Sequence, residues 1–295
     1  MNSFKLATEI KMFDSVSEFV KIMDFSAKDL IVTNAPVYDP QLNGFALTCR
    51  VVFQEQYGAG EPSDRMINAI LHDLQGCEFD RVFAIGGGTV IDVAKIVALT
   101  GVKDVLDALY GRIPLIRQSR LFVVPTTCGT GSEVTNIAIL EDTQNHVKKG
   151  IVGPSIYPDA ALLVPELLYG LPYKFFAFSS IDALIHAVES YLAPASNSIT
   201  EMFAVSAMRD IITAYREIGT KGHEHQSQVI GKVLLASTNA GIAFGNTGVG
   251  AVHAMSYPLG GMYHVPHGEA NYAFFHVVLK KYEELHPTGK IHSLK

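Results

Sequence analysis

Four side chains in the second half of the chain have the right chemistry to hold a transition metal. Asp182 and His186 stand four residues apart, a spacing that puts a carboxylate and an imidazole on one face of a helix. Glu189 follows one turn later on a similar face. Alone, such a pair is more often a structural hydrogen bond. His253 and His267 lie further on, within a stretch from Lys232 to Glu269 that has no Asp, Glu, Lys or Arg between its ends. Alone, each is more often a satisfied core histidine. Together Asp182, His186, His253 and His267 make a one-carboxylate, three-imidazole set, suited to Fe(II) or Zn(II) and too rich in nitrogen for Mg or Ca. His146, His223 and His225 sit in polar contexts and read as solvated.

A second group of residues could hold a nucleotide. Gly86, Gly87 and Gly88 fall between an apolar run and a helical pattern. Glycines there let a backbone approach a ligand, and a helix N-terminus offers free N–H groups to a phosphate. The next glycine is Gly101, so the G-x-G-x-x-G fingerprint is absent; a tight turn with no ligand is about equally supported. The run from Pro125 to Glu133 carries Thr126, Thr127, Thr130 and Ser132 with two glycines. Its hydroxyls could bond a ribose, a phosphate or a carboxamide. It also reads as a Ser/Thr helix cap with Glu133 completing a capping box. Cys128 has no neighbouring histidine in sequence and reads as a small buried filler.

These residues need elements to position them. Leu30–Thr33, Arg50–Phe53, Arg81–Ile85 and Leu121–Val124 read as strands. Helical spacing follows Ser63 and begins again near Thr89. Strands alternating with helices imply a mostly parallel sheet covered on both faces. From about residue 171 the patterns are nearly all helical: one helix capped at Ser179 or Ser180 and running to Leu192, then Thr200–Ile218, Gln226–Phe244 and a short helix around His253. The expected organisation is an α/β dinucleotide-binding domain at 1–170 and an all-α metal and substrate domain at 171–295.

Composition narrows the class. Of 295 residues 48% are apolar and 18% charged, against about 25% charged in ordinary globular chains. That excludes disorder and suggests that much of the chain faces other protein. A net charge of −6 leaves no basic footprint for nucleic acid. The charge-free stretch is interrupted by Asn239, Asn246, His253, His264 and several glycines, so it reads as site-lining protein rather than a membrane span. No signal peptide is expected. Three cysteines without C-x-x-C spacing fit a reducing cytoplasm.

The sequence resembles the iron-containing (group III) alcohol dehydrogenase family along essentially its whole length. The resemblance is carried by Gly86 through Lys95, Pro125 through Glu133, Asp182 through His186, Gly250 through His253, and Pro266-His267-Gly268. It implies that Asp182, His186, His253 and His267 bind a divalent metal, Fe(II) ahead of Zn(II). It assigns NAD to Asn34, Gly86, Gly87, Gly88, Thr89, Asp92, Thr126, Thr127, Thr130, Ser132 and Lys148, with Lys149 adjacent to the last. Gly241 through Gly260 and Pro266 through Tyr272 resemble the branch that interconverts 4-hydroxybutyrate and succinate semialdehyde. Two positions depart from the family pattern. A second histidine associated with proton relay is Tyr257 here, which together with His253 makes the expected catalytic pair. The acidic residue expected after the Leu30–Thr33 strand, which would favour NAD over NADP, is Asn34. Tyr257 or His264 is the expected partner of a substrate carboxylate. Alternatives are a butanol or diol dehydrogenase of the same family, a dehydroquinate-synthase-like lyase, disfavoured by few basic residues near Asp182 and His253, and an inactive assembly subunit, disfavoured by intact ligands. Expected partners are a small hydroxy acid or aldehyde and further copies of the chain, as a homodimer or higher oligomer, with no nucleic acid and no membrane. Family members continue through more helices, so the chain is expected to lack the C-terminal part of the helical domain.

Overall fold

A computed structural model describes residues 3–263 and 265–294; the expectation for His264 lies outside them. In chain order the elements are β1 (Glu9–Met12), α1 (Val16–Met23), β2 (Asp29–Thr33), α2 (Ala35–Gln41), β3 (Arg50–Phe53), α3 (Asp64–Asp73), β4 (Arg81–Gly86), α4 (Gly88–Val97), β5 (Leu99–Thr100), α5 (Val105–Leu109), β6 (Ile116–Arg117), β7 (Arg120–Pro125), β8 (Ile137–Asp142), β9 (Val147–Val152), β10 (Ala160–Leu163), α6 (Tyr173–Leu192), α7 (Ser198–Lys221), α8 (Gln226–Thr247), α9 (Ala251–Tyr263) and α10 (His267–Leu285).

Six strands form one sheet in the order β1-β10-β7-β4-β2-β3, every neighbouring pair parallel. All residues of β2 and β10 are buried, and all but the first of β4 and β7. Such continuous apolar runs mark a sheet with both faces covered. α3 starts where the Ser63 side chain accepts the Met66 N–H, and it buries Met66, Ile67 and Ile70 with Val90 and Ile91 of α4 in one core. The β4–β7 register ends at Gly86 opposite Pro125, and β2 pairs with β4 up to Val32 opposite Ala84. Asn34, Gly86 and Pro125 therefore stand at the carboxyl ends of three adjacent strands, where open α/β sheets bind ligands. β1, β10 and the β8–β9 hairpin escape the sequence reading.

The chain divides into two compact units. One comprises Leu6–Thr127 and Ser132–Leu171; the other comprises the chain from Pro172 onward, the segment up to Lys5 and the loop Cys128–Gly131. The second unit is helical. Ser179 and Ser180 are not caps as expected: α6 begins at Tyr173 behind Pro172. Ser180 lies in its interior, where its hydroxyl reaches the Phe176 carbonyl and the Tyr215 hydroxyl, each at 2.7 Å. α7 is held by a capping box between Asn197 and Thr200. Ser132–Val134 forms only one short 3-10 turn, not a capped α-helix. Cys49, Cys77 and Cys128 form no disulfide. Among the described residues no helix is long and apolar enough to cross a membrane.

Candidate active site

Three helices deliver the metal-ligand candidates. Asp182 and His186 face inward from α6, 3% and 5% exposed. His253 is the third residue of α9, and His267 is the first residue of α10, behind Pro266. Gly268 permits this entry: a Cβ there would lie 2.1 Å from the Phe178 carbonyl oxygen of α6. One ligand atom from each of Asp182, His186, His253 and His267 lies within 4.8 Å of the others. His253 Nε2 and His267 Nε2 are 3.5 and 3.7 Å from Asp182 Oδ1, and the His186 and His253 rings stack at 4.4 Å.

Hydrogen bonds around the cluster fix which nitrogens keep a lone pair. His186 Nδ1 donates to the Gly129 carbonyl at 3.2 Å, leaving Nε2 free of a proton. His253 Nδ1 donates to Glu189 at 2.6 Å. His267 Nε2 accepts from the Asn271 side-chain amide at 3.2 Å, and the same amide donates to Asp182 Oδ1 at 2.7 Å. Asn271 is itself held by the Ser256 hydroxyl. His253 Nε2 is buried and has no hydrogen-bond partner, an orphaned nitrogen aimed where a cation would sit.

The electrostatics point the same way. Burial pushes the His186 imidazole down to about 4, which keeps it neutral as a ligand must be. Burial would raise Asp182, but His186, His267 and His253 outweigh it and hold the carboxyl well below its usual range. Burial also opposes the charge on His253, yet Asp182 and Glu189 raise its imidazole to about 9. Two buried carboxylates flanking a ring that would attract a proton this strongly make a place for positive charge, and nitrogen donors select a transition metal over Mg or Ca. The residues fit a divalent cation.

The nucleotide candidates behave differently. Gly86 is required by packing, since a Cβ there would lie 2.6 Å from Val90 of α4, and Thr89 donates to the Gly60 carbonyl. Asp92 accepts from the Ser132 hydroxyl at 2.7 Å and the Ile139 N–H at 2.9 Å. Lys95, wholly buried, donates to Ser132, Thr135 and the Ile137 carbonyl, and burial lowers its ammonium to about 8. Asp92 and Ser132 are thus engaged inside the protein, where they tie α4 to β8. Lys148 pairs with Glu61 at 2.5 Å. Asn34 precedes α2, its Oδ1 buried without a hydrogen-bond partner, while Glu55 accepts the Ala35 N–H. Thr126 is buried just past β7, its N–H bonded to the Gly86 carbonyl; Thr127 follows it, and Thr130 lies in the loop Cys128–Gly131 of the helical unit. Cys128 is fully buried. Tyr257, one turn beyond His253, is 38% exposed and stacks beside His267.

Sequence reasoning missed Asn271 and the Gly129 carbonyl. Asn271 stands four residues after His267, the same spacing that singled out Asp182 and His186, and could have been found by it. A backbone carbonyl leaves no residue-type signal.

Residues 11–165 match the model of a family described as iron-containing alcohol dehydrogenase, and 176–295 that of the Fe-containing alcohol dehydrogenase family, C-terminal. A 4-hydroxybutyrate dehydrogenase of Clostridium kluyveri is 50% identical over 291 residues, covering 99% of this chain and 78% of that protein. A long-chain-alcohol dehydrogenase of Geobacillus thermodenitrificans is 37% identical over 199 residues, covering 66% of this chain and 49% of that protein. An iron-containing alcohol dehydrogenase structure from Thermotoga maritima has a TM-score of 0.79 at 25% identity, covering 95% of this chain and 80% of that one. A sulfoacetaldehyde reductase from Bifidobacterium kashiwanohense, solved with NAD+, has a TM-score of 0.82 at 22% identity over 95% of this chain and 76% of that one; it speaks for the fold alone.

Proposed function

The chain belongs to the iron-containing alcohol dehydrogenase family, and from that premise we propose that it interconverts 4-hydroxybutyrate and succinate semialdehyde with NAD and a divalent cation, Fe(II) ahead of Zn(II). The observation that supports a working centre is the convergence of Asp182, His186, His253 and His267, with Nδ1 of His186 and of His253 given to acceptors outside the set and His267 Nε2 accepting from Asn271. The substrate follows from the 50% identity to the Clostridium enzyme.

We assign the cation to those four residues. When bound, it supplies Lewis acidity to an alcohol oxygen and lowers that oxygen's pKa. The protein's own contribution is positional. Burial keeps His186 neutral, Asp182 stays ionised among the rings, and Asn271 holds His267 and Asp182 in register. In the sheet unit, the turn Gly86–Gly88 and the first free N–H groups of α4 receive the NAD pyrophosphate. Thr126 and Thr127 would hold the nicotinamide ribose and Asn34 the adenosine ribose, with Thr89 and Lys148 as further contacts of the sheet unit; Thr130, in the helical unit, keeps its cofactor role from the family resemblance. Asp92 and Ser132 act from beneath, by anchoring α4. The Tyr257 hydroxyl replaces a histidine in passing the alcohol proton outward. A phenol near pKa ~10 is a poor base, so it relays through hydrogen bonds rather than storing the proton. The alcohol carbon gives a hydride to NAD and its hydroxyl proton goes to solvent, leaving the carbonyl.

Three cysteines outside any disulfide support a cytoplasmic setting. Exposed Ile199, Met202, Val205 and Ile212 on α7 support self-association into a homodimer or larger oligomer. The deciding experiment is a steady-state assay of the metal-loaded protein with NAD and with NADP, against 4-hydroxybutyrate, butanol and propanediol. The expected result is the highest kcat/KM for NAD with 4-hydroxybutyrate. Turnover of butanol with none of 4-hydroxybutyrate would overturn the substrate assignment.

A further inference from the structure

Glu189 lies outside the four converging residues, yet it carries more of their geometry than its place in the sequence suggests. It sits on α6 seven residues after Asp182, two turns along a shared face, and is 2% exposed. Three donors from four consecutive residues meet its carboxylate. Gly250 N–H reaches Oε2 at 2.9 Å, Val252 N–H reaches Oε1 at 2.7 Å, and His253 Nδ1 reaches Oε2 at 2.6 Å.

A plainer account makes Glu189 an acceptor for the orphan N–H groups that open α9. That explains two of the three donors. It leaves out the shortest contact, which is to the imidazole. It also leaves out Gly250, where a Cβ would lie 2.8 Å from Glu189 Oε1; the loop closes on the carboxylate because residue 250 has no side chain. An Nδ1–H given to a carboxylate leaves the lone pair on Nε2. That atom is buried, has no hydrogen bond and lies 3.5 Å from Asp182 Oδ1.

We propose that Glu189 is the positioning residue for His253: it gathers residues 250–253 onto one buried carboxylate and fixes the imidazole with Nε2 presented to the cation. The proposal rests on reading Asp182, His186, His253 and His267 as a cation site. It also explains why an amide should fail at position 189. A glutamine has a single acceptor oxygen: with that oxygen kept on the Val252 N–H, its own N–H groups face Nδ1 and the Gly250 N–H. The ring proton would then move to Nε2 and the ligand lone pair would be lost. Partners that hold a metal-bound histidine in this way are worth about 10–100-fold in metal affinity.

The test is Zn(II) affinity of the 295-residue chain by chelator competition, for wild type, Glu189→Gln and Glu189→Asp. The expected result is a 10–100-fold weaker Glu189→Gln, with far-UV circular dichroism unchanged, and partial recovery in Glu189→Asp, which keeps the charge. A Glu189→Gln that binds Zn(II) within about twofold of wild type would overturn the proposal. Should that variant not fold, amide hydrogen exchange on the wild type decides. Loading Zn(II) should slow Gly250 and Val252 by about tenfold or more, because Glu189 ties both to His253; unchanged rates would overturn it. A wild type that binds no Zn(II) or Fe(II) defeats the cation reading itself, a separate result from a wild type that binds while Glu189→Gln binds equally well.

Discussion

Two buried polar clusters, one in the helical unit and one in the sheet unit, are completed in opposite ways. Around Asp182 three imidazoles and two carboxylates are packed close together, and His253 Nε2 is left with no partner. Around Lys95 the polar atoms close on one another: Asp92, Ser132, Thr135 and the Ile137 carbonyl account for its neighbours. A satisfied buried network stiffens a scaffold, whereas an incomplete one asks for a ligand. The lesson is that the same residue types carry different meaning according to whether their hydrogen bonds are already made. Elsewhere in the sheet unit Thr8 Oγ1, Asn34 Oδ1 and Thr143 Oγ1 are buried without a hydrogen-bond partner, so the closure is a property of the Lys95 cluster.

The sharpest way to break this contrast is at the cluster. His267→Ala should lose metal and turnover together, with Zn(II) affinity falling by more than the roughly 100-fold that an outer partner is worth; full activity with retained metal would remove His267 from the ligand set. Next comes the closed network. Lys95→Met leaves Asp92, a largely shielded carboxylate, without its cation and should destabilise the fold by about 3 kcal/mol, read by urea unfolding. Unchanged stability with a raised KM for NAD would make that network functional instead. Gly268→Ala forces α10 away from the Phe178 carbonyl and should cost about 1–3 kcal/mol, seen as a lower Tm, with weaker Zn(II) binding as His267 is displaced. The smallest effect is expected at Asn34→Asp. A carboxylate there should raise the NAD over NADP preference about tenfold, roughly 1.4 kcal/mol, measured as the ratio of kcat/KM values.

Residue chemistry made the candidate metal ligands legible. A carboxylate and an imidazole four apart on an apolar helix, with two histidines in a charge-free stretch, have few other uses. The boundaries were harder. Ser179 and Ser180 look like caps, but the apolar turn from Tyr173 to Phe178 continues the helix backward to Pro172, and Ser180 satisfies its hydroxyl against the preceding turn. The Pro125–Glu133 run has the letters of a capping box, yet it crosses between the two units and tightens into a single 3-10 turn at Ser132–Val134. β1 was unreadable because Glu9–Met12 is an edge strand with mixed polarity, fixed by pairing with β10 rather than by its own pattern. α9 runs on through Pro258 to Tyr263, where propensity alone would stop it. Asn271 escaped because an amide carries no ligand chemistry of its own, although its spacing four residues after His267 was there to read.

The loop Cys128–Gly131 has one more consequence. It belongs to the helical unit although strand β7 precedes it, and its Gly129 carbonyl sets the proton on His186 from 57 residues upstream. The metal centre is therefore not a transplantable module. A fragment cut at Pro172 would contain every ligand residue and still lack the atom that decides which nitrogen of His186 is free. Grafting or domain shuffling at that boundary would carry the residues across and leave part of their instructions behind.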